Sequence, residues 1–323
     1  RGPRRRRTLN RVMGSLPQTA LGIDVGGTKI AAAIVTFPGG QIHARRQIPT
    51  NPERGSQAVL GDLVQLTAEL MAGTDPTCPP CTTIGIGLCE LVSPDGRILS
   101  GNCVRWRADT IASLLEPFGT VTLEADVRAA ARAEALLGAG RRFRTFLYVT
   151  VGTGISCCLM EDGKPYLGAR GATGTLASSA LRVPCAHCGT LNLQTLEDLA
   201  SGPGIVHRLN RLQPGRVHTG QDVFAEVARG NTDARQVVQT ACEALGSAVG
   251  LMVNVLDPEA VILGGGLAQS DDFLWEDFLE ATRRHIWSEV HRELPIVRAE
   301  TGKDAGVIGA ALSALQPRAR QGR

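Results

Sequence analysis

The chain has 323 residues, of which 43% are hydrophobic, 20% charged and 4% aromatic, and its formal net charge is +3. That length accommodates two domains with substantial cores, and so few aromatic residues argue against a wall of base-stacking rings. Arg1 to Arg11 holds six arginines and no acid, and Arg318 to Arg323 adds three. Residues 1–17 and 317–323 therefore read as disordered basic arms. The body left between them is slightly acidic, which argues against a nucleic-acid surface. No apolar run reaches the length of a membrane span, and no signal peptide is visible. Nine cysteines, an odd number with no secretory signal, point to a reducing cytoplasm rather than a disulfide framework.

The first predicted elements are two strands around a glycine turn, Leu21-Gly-Ile-Asp-Val-Gly-Gly-Thr-Lys-Ile30, with β-branched residues continuing to Val35. Gly26 and Gly27 lack Cβ, so the turn's N–H groups can approach a phosphate closely. Thr28 adds a hydroxyl and Lys29 a positive charge. Asp24, at the mouth of the turn, suits Mg²⁺ held through water, because that ion keeps most of its waters. The same residues would also make a plain hairpin turn.

Gln41–Gln47 follows as a third strand. Apolar spacing predicts a helix over Gln57–Met71. Cys78-Pro-Pro-Cys81 lies in a loop with no second pair at zinc spacing. Thr82–Leu88 is a short strand, and Ser93-Pro-Asp-Gly96 a turn. Asp109–Pro117 reads as a helix capped by Asp109. Thr120–Glu124 is a strand, and a helix runs from Val127 to about Leu137. The pattern then starts again with the strand Phe146–Val151, the turn Gly152-Thr153-Gly154 and the strand Ile155–Met160. An irregular stretch extends from Gly163 to Thr195, and a helix opens near Glu197. A long helix spans Val237–Leu256 and stops before Asp257-Pro258. The strand Ala260–Leu263 runs into Gly264, Gly265 and Gly266, and a small-residue helix covers Asp304–Leu315.

The order implies an α/β fold. Three glycine turns, each after an apolar strand, suit one phosphate cradle at the carboxyl ends of strands in an open sheet. Asp126 sits at the same kind of edge. Phosphoryl transfer to an alcohol needs a group that accepts the hydroxyl proton, and Asp126 is the candidate. Capping the helix that begins at Val127 is the structural alternative, and the two roles are compatible.

Taken together, these motifs resemble the ROK family (repressor, open reading frame, kinase) of bacterial glucokinases and related sugar kinases. The resemblance covers Leu21 to about Leu315. It is carried by Asp24-Val-Gly-Gly-Thr-Lys29, Val151-Gly-Thr-Gly-Ile155, Asn254-Val-Leu-Asp-Pro-Glu-Ala-Val-Ile-Leu-Gly-Gly-Gly266 and Gly302-Lys-Asp-Ala-Gly-Val-Ile-Gly-Ala-Ala311. It implies an actin-like ATPase (ribonuclease H-like) fold, with two lobes around a nucleotide and sugar cleft. The small lobe would be 18–125 plus 303–316 and the large lobe 126–302. It also implies ATP and Mg²⁺ as cofactors, a small sugar or polyol as partner, and room for a homodimer. Asp126 falls on the catalytic base. Asn102, ahead of Trp106, falls on a sugar-binding asparagine, and Glu197 on a residue that binds hydroxyls.

The departures lie on the acceptor side. The base stands in Ala125-Asp-Val-Arg128, where Arg128 suggests an acidic group on the acceptor. Thr175-Leu-Ala-Ser178 lacks the family's glutamate and zinc-ligand histidine. Cys185 and Cys188, with His187 between them, offer three ligands where a structural zinc takes four. Ser156-Cys-Cys158 replaces glycines, and Glu90 stands where a glycine is expected. Three readings follow: a glucokinase-like enzyme, a kinase of a modified sugar or cyclitol, and a non-catalytic regulator that binds nucleotide or sugar.

Overall fold

The computed structural model describes residues 17–73, 78–106, 110–179, 181–184, 191–270 and 274–316. In chain order the strands are β1 (Gln18–Val25), β2 (Lys29–Phe37), β3 (Gln41–Pro49), β4 (Cys81–Leu88), β5 (Thr120–Ala125), β6 (Thr145–Val151), β7 (Ile155–Glu161), β8 (Lys164–Pro165), β9 (Leu181–Pro184), β10 (Leu191–Gln194), β11 (Ala260–Gly264) and β12 (Ile296–Arg298). The helices are α1 (Ser56–Ala72), α2 (Thr110–Leu115), α3 (Asp126–Leu136), α4 (Leu196–Ala200), α5 (Gly202–Leu212), α6 (Gly220–Ala228), α7 (Thr232–Leu256), α8 (Trp275–His285), α9 (Glu289–Arg292) and α10 (Ala305–Leu315). None of the described helices is long and apolar enough to cross a membrane.

The chain divides into two compact units. The first takes in residues up to Arg142, then Asp162–Thr173, then Lys303 onward; the second is Phe143–Glu161 with Gly174–Gly302. Each unit is built on a mixed sheet with helices, as the α/β reading expects.

In the first unit the strand order is β3-β2-β1-β4-β5. β1 pairs antiparallel with β2, while β1, β4 and β5 run parallel. Strand alternation sorts the side chains by size. Leu21, Ile23, Val25, Ile30, Ile84 and Ile86 face one side with Leu60 and Leu63 of α1. Ala20, Ala31, Ala33 and Val35 face the other side with α3 and α10.

The small side lets α10 lie almost backbone to backbone on the sheet. A Cβ on Gly22 would stand 1.9 Å from the Val307 carbonyl oxygen, and one on Gly85 1.7 Å from that of Ala310. Gly309 of α10 abuts α3 in the same way, its Cβ position 1.7 Å from the Ala129 carbonyl oxygen. Any side chain at these positions forces the helix away.

In the second unit the strands β12, β11, β6 and β7 lie side by side in that order. β6 and β7 are antiparallel, and β11 is parallel to both β6 and β12. Leu147, Val149, Val261 and Leu263 pack with Val238, Leu245 and Val249 of α7 in one core. Helix α7 begins five residues before the apolar spacing predicts, because Asn231 caps it by accepting from the Asp233 and Ala234 N–H groups. Its end at Leu256 is as expected, with Asp257 left-handed at φ 47° before Pro258. The stretch read as irregular contains the antiparallel pair β9 and β10.

Candidate active site

The parallel strands of the first unit end level with one another: Val25 pairs with Leu88, and Leu88 with Ala125. The residues just beyond these ends are Gly26, Cys89-Glu90 and Asp126, so parallel pairing alone gathers them on one edge. This is the edge where open α/β sheets bind ligands.

Asp24 lies on the α10 side of β1, beside the small residues Gly87 and Gly306. Its carboxylate takes the space that a Cβ on Gly306 would need, 2.2 Å from Oδ2, and a Cβ on Gly87 would stand 3.7 Å from Oδ1. The same Gly87 position is 3.6 Å from the Asp126 Cα. The Asp24 carboxylate and the Asp126 backbone thus flank one glycine. Burial raises Asp24 to about 6, against the attraction of Lys29. Burial, and then the like charge of Asp24, raises Asp126 to about 7. Both residues are half-buried. A carboxyl poised near neutrality accepts a proton from a hydroxyl more readily than an ordinary aspartate does. A carboxylate whose charge is left uncompensated by burial fits a divalent cation, and Asp24 would hold Mg²⁺ through its waters.

Asp126 is the first helical residue of α3, and Ala125 is the N-cap. Asp126 Oδ1 accepts from the Val127 N–H at 2.6 Å. The capping alternative is therefore corrected: the carboxylate sits one residue inside the helix and bonds the next N–H, where the helix dipole favours its charge.

Arg128 is also corrected as an acceptor contact. Its Nε donates to Glu124 at 2.6 Å and its two terminal nitrogens to the carbonyls of Val92 (2.5 Å) and Gly171 (3.2 Å). Arg132 adds a second cation to Glu124 at 3.3 Å. Burial opposes the Glu124 charge, but Arg128 and Arg132 outweigh it and hold the carboxyl below its usual range. The guanidinium of Arg128 is spent on the fold, 3% exposed.

The turn between β1 and β2 is closed by the Gly26 N–H donating to the Lys29 carbonyl at 3.0 Å, and the Thr50 hydroxyl donates to the Gly26 carbonyl at 2.7 Å. Thr28 and Lys29 are exposed at its tip. A Cβ on Gly27 would stand 3.4 Å from Cys103 Sγ, which places this turn beside the loop carrying Asn102. Asn102 is exposed, and its backbone N–H donates to Glu90 at 2.8 Å. The Cys89 and Cys103 thiols hydrogen-bond each other. That bond, with burial, raises Cys89, and the same bond lowers Cys103.

In the second unit the other two glycine turns adjoin. The Leu267 N–H donates to the Val151 carbonyl at 3.0 Å, and a Cβ on Gly152 would stand 3.7 Å from the Gly266 nitrogen. Gly265 is left-handed at φ +89°, with its Cβ position 2.4 Å from the Val151 oxygen, so only glycine fits. The Gly202 N–H donates to the Gly152 carbonyl at 2.8 Å, tying the start of α5 to the turn. Glu197 of α4 accepts from the Ile155 N–H at 2.9 Å and lies against Gly154, whose Cβ position is 2.9 Å from Glu197 Oε1.

The structure thus gathers Asp24, Gly26, Gly27, Thr28, Lys29, Asn102 and Asp126 in the first unit. It gathers Gly152, Thr153, Gly154, Gly264, Gly265, Gly266 and Glu197 in the second. Cys185 and Cys188 lie outside the described residues. Gly306, which makes room for the Asp24 carboxylate, belongs to the motif Gly302–Ala311, whereas Gly87, between Asp24 and the Asp126 backbone, had no motif signal of its own.

A model of the ROK family matches residues 20–317. An N-acetylgalactosamine kinase of Shewanella sp. (strain ANA-3) is 33% identical over 308 residues, covering 90% of this chain and 95% of the relative. The ROK hexokinase of Thermus thermophilus superposes with a TM-score of 0.72 at 31% identity, covering 92% of this chain and 98% of the other. A ROK family glucokinase of Streptomyces griseus, solved in complex with glucose and AMPPNP, shares the fold with a TM-score of 0.77 at 24% identity, over 94% of this chain and 100% of that one.

Proposed function

The chain is a carbohydrate kinase of the ROK family, and we propose that it transfers the γ-phosphoryl group of ATP to a hydroxyl of a small sugar with Asp126 as general base. The observation that carries this reading is the Asp126 carboxyl. It is half-buried on the carboxyl edge of three parallel strands and raised to about 7 by burial and by Asp24. Asp126 takes the proton of the acceptor hydroxyl as its oxygen bonds to the γ-phosphorus. The bond from that phosphorus to the bridging oxygen breaks, and ADP leaves with the electron pair.

The glycine turn Gly26–Lys29 of the first unit, and the adjoining turns Gly152–Gly154 and Gly264–Gly266 of the second, are each suited to holding phosphate, as glycine-rich concavities are. Asp24 would hold Mg²⁺ through its waters, and the ion would supply positive charge to the phosphate oxygens. Asn102 and Glu197 bind sugar hydroxyls.

The acceptor class is a hexose or N-acetylhexosamine, supported by the 33% identical N-acetylgalactosamine kinase. Thr175-Leu-Ala-Ser178 brings neither a carboxylate nor an imidazole to the acceptor. Each lost bond between a charged group and a ring hydroxyl removes about 1.5–3 kcal/mol, which disfavours a tight glucose site and favours a modified ring. A coupled ADP-release assay with Mg²⁺, across hexoses, N-acetylhexosamines and cyclitols, tests the reading. Turnover with one of these acceptors is expected, and none across the panel overturns it.

A further inference from the structure

Glu90 is a buried carboxylate, 4% exposed, in the position where the family resemblance expects glycine. It is assigned no contact with substrate above, though its charge also helps raise Asp126, and it accepts four hydrogen bonds. Three successive backbone N–H groups converge on it. Asn102 donates to Oε2 at 2.8 Å, and Cys103 and Val104 donate to Oε1 at 2.8 and 3.1 Å. The Ser100 hydroxyl also donates to Oε2, at 2.5 Å, and itself accepts from the Leu91 N–H at 2.9 Å.

Consecutive N–H groups aimed at one point form a concavity that binds an anion. Here the anion is supplied by the chain itself. Its backbone follows β4 directly, whose last residue, Leu88, is in register with Val25 and Ala125. The loop 100–104 is irregular and lacks strand or helix bonds to hold it. The Glu90 carboxylate, fixed to the edge beside the two aspartates, therefore holds the loop's main chain, alongside the buried Val104 side chain and the Cys89–Cys103 thiol bond.

We infer that Glu90 is a positioning residue for the acceptor: it fills an internal anion nest and so sets Asn102 at a defined place relative to Asp126. The inference rests on the proposed role of Asn102 in binding the sugar. It accounts for a carboxylate at a glycine position, because a glycine there would leave the three N–H groups without this partner. It also assigns specificity to a residue that need not touch the sugar.

The test uses Glu90→Ala, which empties the nest, and Glu90→Gln, which keeps one acceptor oxygen, with formate as a small carboxylate able to enter the vacated space. Two readouts are taken: amide hydrogen exchange at Asn102, Cys103 and Val104, and KM for the acceptor and for ATP. The Ala variant is expected to exchange these three amides about tenfold to a hundredfold faster, and to raise the acceptor KM by a similar factor, since each bond to a charged group is lost. The KM for ATP should stay within about twofold. Tens of millimolar formate should restore both readouts in the Ala variant, and the Gln variant should fall between.

Unchanged exchange at the three amides overturns the inference. So does a rise of both KM values together, which marks a general loss of structure. If the Ala variant does not fold, an acceptor KM and exchange at the wild-type level in the Gln variant overturn it equally. If the wild-type protein turns over no acceptor, that failure belongs to the kinase reading, and exchange with formate rescue decides whether Glu90 holds the loop.

Discussion

Replacing Asp126 with asparagine removes the proposed base while keeping the side chain's shape. Two effects of opposite sign follow. General-base catalysis contributes about 10²- to 10⁴-fold, so kcat should fall by that factor, or roughly 3–5 kcal/mol of barrier at about 1.4 kcal/mol per tenfold. Stability should rise, because Asp126 is lifted from 3.8 to about 7 in the fold. A carboxyl raised on folding lends most support while protonated, below its unfolded value of 3.8. That support is lost as the pH climbs through 7, where the fold must carry the charge.

The full shift converts to about 4 kcal/mol. Water reaching the half-buried group reduces this to roughly 2–4 kcal/mol. The Asp126→Asn protein should therefore match the wild type near pH 4, gain on it as the pH rises to 7, and hold a constant advantage above that. Denaturant titrations at several pH values measure the gap. ADP release at saturating acceptor measures kcat, and calorimetry measures ATP affinity, which should be retained. A kcat within tenfold of wild type, or a stability difference that does not vary with pH, would refute the reasoning.

Asp24→Asn removes the like charge that helps raise Asp126, so the pH dependence of unfolding attributed to Asp126 should move to lower pH; a move to higher pH would contradict the coupling. Gly85→Ala puts a Cβ 1.7 Å from a backbone oxygen of α10 and should cost about 3 kcal/mol or more. Gly61→Ala, in α1 with nothing within 4 Å of the new methyl group, should instead stabilise by about 0.5–1 kcal/mol, with both read from melting curves. Arg128→Met leaves the buried Glu124 with Arg132 as its remaining cation and should cost about 3 kcal/mol. Adding Glu124→Gln should recover part of that loss, and a double variant no more stable than the single one would show the pair is not the cause.

Much of the first unit was legible because its strands alternate on a period of two with glycine at both ends of the pattern. The apolar run from Leu21 breaks on Asp24 and on the Gly26–Gly27 pair, and β-branched residues resume through Val35. Helix α7 was read short because its first turn, Thr232 to Gln236, has no apolar spacing, and the start depends on one amide side chain at Asn231. β12 has three residues and β9 and β10 four each, too few for a period to show. At the site the motif residues could be found by type. Arg128 could not be assigned from type alone: a guanidinium beside a base looks like a ligand contact until Glu124, four residues back on the previous strand, turns out to hold it. Glu90 was visible as a departure, but its partners are main-chain N–H groups that no side-chain pattern encodes.

The close seat of α10 ties the site to the order in which the chain is made. Asp24 emerges early in synthesis, while Gly306, Gly309 and the carbonyls that Gly22 and Gly85 receive come after almost all of the rest. Until then only α3 packs on that face of the first sheet, and the Asp24 carboxylate lacks the wall that Gly306 provides. The second unit is continuous but for the short excursion 162–173, and it is complete before that wall arrives. The wall beside the Asp24 carboxylate is thus supplied only after the second unit has been made, through a helix that carries none of the residues proposed for catalysis.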